Sequence, residues 1–439
     1  MQYLSLNRQS PAVDFREAAI RGQAPDKGLY FPESIPLQPR DFIENIEEYS
    51  KEEIAFMVIQ PYIGTEIPEE KLRQIVSETL QFDFPLVQVT EDMYSLELFH
   101  GPTMAFKDVG ARFMSRCLGH FIQNKDQELT VLVATSGDTG GAVASGFLGV
   151  EGVKVVILYP SGKVSNVQEL QLTTLGQNIK ALEVNGNFDD CQEMVKKAFA
   201  DESLNKIMFI TSANSINIAR WLPQQFYYWF AWKAWPDKKN PPVFCVPSGN
   251  FGNICAGLLS YQSGLPANHF IAACNANNTV TDYLINGNYR PKQAVPTISN
   301  AMDVGDPSNF VRILELFNHY YPALKEALSG YSITDEQTMQ TIFEVFNENN
   351  YLLDPHGAVA FQALKEYLGE ISSEAGQPFA KGIFLETAHP VKFPETVESI
   401  INWKVPVPQP VYDLLLKKKN SIRIEADYSA LRDFLLETI

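Results

Sequence analysis

The clearest pattern along the chain begins at Leu129, where short apolar runs start to alternate with helical stretches. LTVLVAT is followed by a small-residue stretch, GGAVASGFLGV, and then by VKVVILY, VSNVQELQLTTLG, IKALEV, FDDCQEMVKKAFA and IMFIT. β-Branched runs separated by helical stretches predict βαβ units and a parallel sheet. A second series opens after PDKKNPP with PVFCVPS, a helix after GNFGN and the run FIAACN. It continues with helices over 307–319, 335–349 and 355–369 and a strand at GIFLE. Residues 405–439 read as a polar strand and a terminal helix around SALRDFLLE. Ahead of both series, acidic helical stretches such as EEKLRQIVSETLQF mix with turns marked by Pro32, Pro36, Pro39 and Pro85, a pattern that predicts a capping domain. The expected class is therefore α/β, with two units of open, mainly parallel sheet behind an N-terminal cap. The pattern divides the chain into a cap at 1–95, a smaller α/β domain at 96–235 and a larger one at 236–439 with a C-terminal extension. FYYWFAWKAW, at 226–235, fits a core helix, an aromatic subunit interface or a linker, so monomer and homodimer both stay open.

Composition narrows the function classes. A chain of 439 residues with 45% hydrophobic and 20% charged residues is globular in type. Its 35 Lys and Arg against 52 Asp and Glu give a net charge of −17, which repels a phosphate backbone and argues against nucleic acid as a partner. The start, MQYLSLNRQSPAVDFREAA, lacks the apolar core of a signal peptide, and no apolar run is long enough to span a bilayer. A cytoplasmic chain with no membrane partner is expected. The five cysteines form no CxxC pair and the six histidines no HExxH, so neither a disulfide framework nor a metal site is expected. An anionic substrate needs local cations in so acidic a chain.

Open α/β sheets bind ligands beyond the carboxyl ends of their strands, where helix N-termini present free amides. Two loops here have that place and chemistry. ATSGDTGG (134–141) follows LTVLV and offers hydroxyls at Thr135, Ser136 and Thr139, with close backbone approach at Gly137, Gly140 and Gly141. PSGNFGN (247–253) follows VFCV, with Gly249 and Gly252 flanking amide donors at a helix start. Glycine and serine between a strand and a helix are also ordinary turn chemistry, so each loop alone leaves that reading open. There is no GxGxxG after a strand; Gly162-Lys163 lacks the rest of a P-loop, and a GxSxG elbow is absent. In HGPTMAFKDVGARF (100–113), Lys107 lies between Phe106 and Val109 at the start of a predicted helix, where apolar surroundings would lower its pKa towards the range that Schiff-base chemistry requires. A lone lysine is otherwise a solvated surface residue.

FHGPTMAFKD, VATSGDTGG, PSGNFGN and LETAHPVKFPE (385–395) occur in this order and at these separations in threonine synthases, and the chain resembles that family end to end. The opening FREAAIRGQAPDKGLYFPESIP, the stretch TSANSINIARWLPQ (211–224) and SNAMDVGDPSNF (299–310) are similar to the family's as well. SGDTGG is shared, with variations, across the wider pyridoxal-phosphate enzymes of the tryptophan-synthase-β type, so the resemblance implies that fold, fold type II.

The resemblance further implies pyridoxal phosphate held as a Schiff base on Lys107, which would also move protons at the substrate's α- and β-carbons. Asp138 would lie near the cofactor's 3′-oxygen, and the amides of Gly249, Asn250, Phe251, Gly252 and Asn253 around its phosphate. The hydroxyl of Thr387, in LETAHP, would face the pyridine nitrogen, leaving the ring less cationic than an aspartate would. Thr135, Ser136, Gly137 and Thr139 would line the substrate. Lys163 in YPSGKVSN and Arg220 in NSINIAR, with Ser161, Ser215 and Asn217, are the candidates for its phosphate. His389 reads as structural. The implied reaction is conversion of O-phospho-L-homoserine and water to L-threonine and phosphate, by γ-elimination and then β-addition of water, as the last step of threonine biosynthesis. A phospho-lyase, a serine or threonine dehydratase on the same scaffold, and a non-catalytic relative stand as alternatives.

Overall fold

Two separate parallel sheets, each flanked by helices, carry the chain in the computed structural model, which describes residues 1–123, 128–372 and 380–437. The larger has six strands in the spatial order Leu328–Ser332, His269–Cys274, Val243–Pro247, Gly382–Glu386, Met93–Glu97 and Leu86–Gln88. Only Leu86–Gln88 runs antiparallel to its neighbour. The smaller has five parallel strands in the order Ile422–Glu425, Ile179–Asn185, Val153–Pro160, Leu129–Ala134 and Phe209–Ser212. Strands buried on both faces need apolar residues at every position rather than at alternate ones. Leu129–Ala134, LTVLVA, is accordingly buried throughout, as are Val243–Pro247 and Gly382–Glu386.

The sheets do not follow the sequence divisions at 95 and 235. Met93–Glu97 pairs with Gly382–Glu386 in the larger sheet, Met93 opposite Gly382, while the C-terminal strand Ile422–Glu425 returns to the edge of the smaller sheet beside Leu182–Asn185. The chain thus passes from the larger sheet to the smaller, back, and to the smaller again.

The helix Gln225–Ala234 is core. Every residue from Gln225 to Trp232 is buried, as expected of a helix that is apolar all round. Trp229 packs on Phe42 and Phe230 on Phe84, with ring centroids 5.5 and 5.2 Å apart, and Tyr228 meets Phe244 of the larger sheet at 5.3 Å. The aromatic run therefore joins the N-terminal region to the larger sheet. All five cysteines are buried and unpaired. Among the described residues, no helix is long and apolar enough to cross a membrane.

Candidate active site

Lys107 opens the helix Lys107–Ile122, and backbone bonds fix the residue ahead of it. Phe106 N donates to Thr387 O at 2.9 Å, Ala105 bridges Ala388, and Tyr227 Oη donates to Phe106 O. Thr387 follows the buried strand Gly382–Glu386, so the lysine and the threonine are set against one another by main chain. Asp108 closes the preceding turn, accepting from Thr103 N at 2.9 Å and from Thr103 Oγ1 at 2.6 Å.

Lys107 Nζ lies 3.6 Å from Asp138 Oδ2 and 4.8 Å from the centre of the Phe106 ring, with its side chain only 18% exposed. The other carboxylate oxygen of Asp138 accepts from Lys392 Nζ at 2.6 Å and Gln168 Nε2 at 2.9 Å. Lys392 is completely buried and also donates to Thr103 O at 2.9 Å. Burial lowers the pKa of Lys107; Asp138 opposes that shift, while the positive charges of Lys392 and Arg220 add to it. Burial alone would raise the pKa of Asp138, but Lys392 and Lys107 outweigh it and hold the carboxyl well below its usual range. The result is an ionised carboxylate between two lysines, one locked to it and one held less tightly.

Asp138 belongs to the first glycine loop, and the two glycine loops are built differently. Thr135 is buried, and its Oγ1 accepts from Gly137 N at 3.0 Å and Gly140 N at 2.9 Å, so its hydroxyl caps the helix Asp138–Phe147. Gly137 adopts φ 141°, and a Cβ there would stand 2.6 Å from Gln168 Cδ. Only glycine fits both demands. Ser136 is exposed and Thr139 half-buried. In the second loop Phe251 takes a left-handed conformation, φ 60°, and gives the helix Gly252–Gln262 no side-chain cap. Asn250 is tied on three sides: its Oδ1 accepts from Ser308 N at 2.6 Å, its Nδ2 donates to Ser215 Oγ at 2.7 Å, and its carbonyl accepts from Asn309 Nδ2 at 3.0 Å. Asn253 is buried with Oδ1 held by Tyr228 Oη at 2.8 Å, and its Nδ2 has no partner among the described residues. Tyr227 and Tyr228, adjacent on one helix, thus brace the Lys107 segment and the second loop together.

The remaining sequence candidates fall into separate places. Arg220 is buried close enough to Lys107 to affect its charge; Nη1 donates to Ala213 O, and Nε has no partner among the described residues. Burial pulls its pKa down to about 10, which leaves it cationic at neutral pH. Ser215 joins the second loop through Asn250. Asn217 is fully buried and occupied within the fold, donating to Ala19 O at 2.8 Å and accepting from Ala219 N at 2.9 Å. Ser161 donates to Glu183 Oε1 at 2.6 Å, and Lys163 is exposed on the turn after Val153–Pro160. His389 accepts from Val391 N at 3.0 Å through Nδ1, and burial lowers its pKa to about 4, as befits a capping residue. Lys392, Gln168 and the tyrosine pair escaped the sequence reading. The one available signal for Lys392 was a charge between Val391 and Phe393, and an Asp138 that needs a buried counter-ion.

These residues suit pyridoxal phosphate. A lysine of lowered pKa answers its aldehyde, and an uncapped helix start with the unpartnered Asn253 amide answers its phosphate. A Cβ on Gly249 would stand 2.7 Å from Met302 Cα, so the loop backbone runs where no side chain fits.

Residues 89–376 match the family described as pyridoxal-phosphate dependent enzyme, residues 2–80 the threonine synthase N terminus, and residues 357–435 the threonine synthase C-terminal region. The chain is 42% identical over 444 residues to threonine synthase of Haemophilus influenzae, covering 100% of both chains. It is 41% identical over 437 residues to that of Escherichia coli, covering 99% of each, and the crystal structure of the Escherichia coli enzyme superposes with a TM-score of 0.91 over the whole of both chains. The pyridoxal-phosphate-bound threonine synthase of Brucella melitensis, 32% identical, gives a TM-score of 0.92 over 100% of this chain and 99% of its own. The fold, the lysine cluster and these full-length likenesses agree: the chain belongs to the pyridoxal-phosphate-dependent threonine synthases.

Proposed function

We propose that the chain converts O-phospho-L-homoserine and water to L-threonine and phosphate in the cytoplasm, with Lys107 as the group that moves protons. The observation that carries this reading is Lys107 set beside Asp138, with two buried cations, Lys392 and Arg220, both close enough to act on the charge of Lys107. In a chain of net charge −17, such a local excess suits a substrate that brings both a carboxylate and a phosphate.

When bound, pyridoxal phosphate supplies an electron sink for the negative charge that develops at the substrate's α-carbon. The Lys107 amine takes the α-proton, and its lowered pKa leaves more of it as free base. Asp138, fixed on one oxygen by Lys392 and Gln168, turns the other towards that amine and holds it in place between proton transfers. Lys107 then serves the β-carbon and finally returns a proton to the α-carbon, so one side chain acts as base and acid. Arg220 and Ser215 hold the substrate phosphate, whose departure they assist by balancing its charge. Gly249 to Asn253 would hold the cofactor phosphate, and Thr387 would offer a neutral hydroxyl to the ring nitrogen. Thr135 acts by shaping the loop that carries Ser136, Gly137 and Thr139, and Asn217 by capping the short helix Ile218–Trp221 that carries Arg220. Ser161 and Lys163 lie at the rim, where Lys163 draws anionic substrate inward.

The test is a product balance with O-phosphohomoserine. Threonine and phosphate in equal amounts support the reading. Phosphate with 2-oxobutyrate would make the protein a phospho-lyase, and turnover of unphosphorylated serine or threonine alone would make it a dehydratase.

A further inference from the structure

Arg312 is completely buried on the helix Phe310–Leu316, yet its charge has no acid beside it. Its Nε and Nη2 donate to Tyr30 O at 3.3 and 3.0 Å, Nη2 also donates to Ile216 O at 2.6 Å, and Nη1 donates to Asn309 Oδ1 at 2.8 Å. The guanidinium carbon stands 4.5 Å from the centre of the Trp221 ring. Every one of these partners is neutral, and among the described residues no carboxylate forms an ion pair with it. Burial lowers its pKa to about 10, which leaves it charged at neutral pH. An isolated buried charge is costly unless something compensates it.

The hydrogen bonds lead to where compensation belongs. Asn309 accepts from Arg312 with its oxygen and donates with its nitrogen to Asn250 O at 3.0 Å, within the loop that opens the helix Gly252–Gln262. That same amide nitrogen lies 3.4 Å from the point a Cβ on Gly252 would occupy. The guanidinium therefore sits one side chain behind a helix N-terminus that carries its own partial positive charge. Two positive sources converge on a loop without an anion from the protein. Arg312 also grips Ile216, next to Ser215, whose hydroxyl accepts from Asn250.

We propose that Arg312 is a positioning residue for the cofactor's phosphate: it holds Asn309 and Asn250 in place and supplies positive charge from behind the loop, without touching the phosphate. The proposal rests on the assignment of Gly249 to Asn253 to that phosphate. Dissociation constants of the holoenzyme prepared with pyridoxal phosphate and with pyridoxal, which lacks the phosphate, test it. Arg312→Gln should weaken pyridoxal phosphate about 10- to 100-fold and pyridoxal less than about threefold, while Arg312→Lys, which keeps the charge but not the fork that holds Asn309, should fall between Arg312→Gln and wild type. Should Arg312→Gln fail to fold, Asn309→Asp sets a carboxylate against the guanidinium without removing it and should lower the same affinity ratio. Equal losses for both ligands, or an unchanged ratio in both variants, would overturn the role. An unchanged ratio in Asn253→Ala would overturn the phosphate assignment instead.

Discussion

At residues 134–141 the chain leaves a strand and folds onto its own hydroxyl, Thr135 capping the amides of Gly137 and Gly140. At residues 247–253 the loop has no such internal support, and its shape comes from Ser215, Ser308 and Asn309, which hold Asn250 from outside. The compositions are nearly alike, but the first loop is held by its own Thr135 hydroxyl and contributes a side chain, Asp138, to the site. The second leaves the helix start uncapped and Asn253 Nδ2 unpartnered among the described residues, and so keeps donors for a ligand. A self-supported loop tolerates changes around it. A loop held by its neighbours transmits them.

Lys107 belongs to neither loop and gives the sharpest break. Lys107→Ala removes the proton carrier, and turnover should fall by about 10² to 10⁴. The cofactor's covalent visible absorbance should vanish, but the second loop should still retain pyridoxal phosphate non-covalently. Retained turnover, read with a coupled phosphate assay, would move the chemistry elsewhere.

Lys392→Met tests the first loop's side-chain contribution. It leaves Asp138 buried without its 2.6 Å partner, and breaking a buried pair costs about 3–5 kcal/mol, which thermal unfolding reads directly. The pH dependence should move as well. Lys392 now repels charge on Lys107 and occupies Asp138; without it the pKa of Lys107 rises, so the acid limb of kcat/KM shifts to higher pH. A lower or unchanged limb would show that Asp138 does not control the amine. Arg220→Met should cut kcat/KM for O-phosphohomoserine about 10- to 150-fold, the loss of one charge-assisted hydrogen bond, and leave cofactor content unchanged.

A pair of glycine variants compares the loops themselves. A Cβ on Gly249 meets Met302 Cα at 2.7 Å and Ala301 O at 3.0 Å, both backbone, so Gly249→Ala should displace the loop and cost cofactor binding about 1–3 kcal/mol. A Cβ on Gly141, inside the helix Asp138–Phe147, meets the Gln171 side chain first, Oε1 at 3.3 Å and Cβ at 3.5 Å, rather than backbone. Gly141→Ala should be neutral or stabilise by up to about 1 kcal/mol. Equal losses of cofactor in the two variants would erase the distinction between the loops.

The same contrast explains what the sequence could disclose. Glycine loops after apolar runs, and a lysine next to Phe106, are local patterns, and the strands and the main helices follow from local periodicity. Lys392 meeting Asp138, Tyr228 meeting Asn253 and Arg312 reaching Asn309 and Tyr30 depend on which strands lie side by side. That order is set by long-range parallel pairing, which leaves no periodic mark: Met93–Glu97 straddles the boundary read at 95 but pairs with Gly382–Glu386, and Ile422–Glu425, within the polar strand and helix read as a C-terminal extension, extends the smaller sheet. Asn217 carried a polar residue's promise of ligand contact, and the fold uses its amide to tie Ala19 to the loop instead. Local sequence marks where ligand-facing backbone lies, while the counter-ions that tune it come from distant segments.

The smallest effect belongs to Lys163, which, like Arg220, follows a strand of the smaller sheet but does not share its surroundings. Arg220 is 2% exposed and close enough to bear on the charge of Lys107, whereas Lys163 is exposed on a turn whose neighbour Ser161 is occupied by Glu183. A solvated charge acts at a distance, on encounter rather than on the bound complex, and salt screens it within about 8–10 Å. Lys163→Ala should therefore lower kcat/KM by less than about threefold at low ionic strength, with kcat and cofactor affinity unchanged, and the difference should disappear as salt is added. A loss as large as that of the Arg220 variant and insensitive to salt would mean instead that the turn after Val153–Pro160 closes onto the substrate phosphate. The first loop's sheet would then supply a second direct cation, and the division between a rim that attracts and an interior that binds would fail.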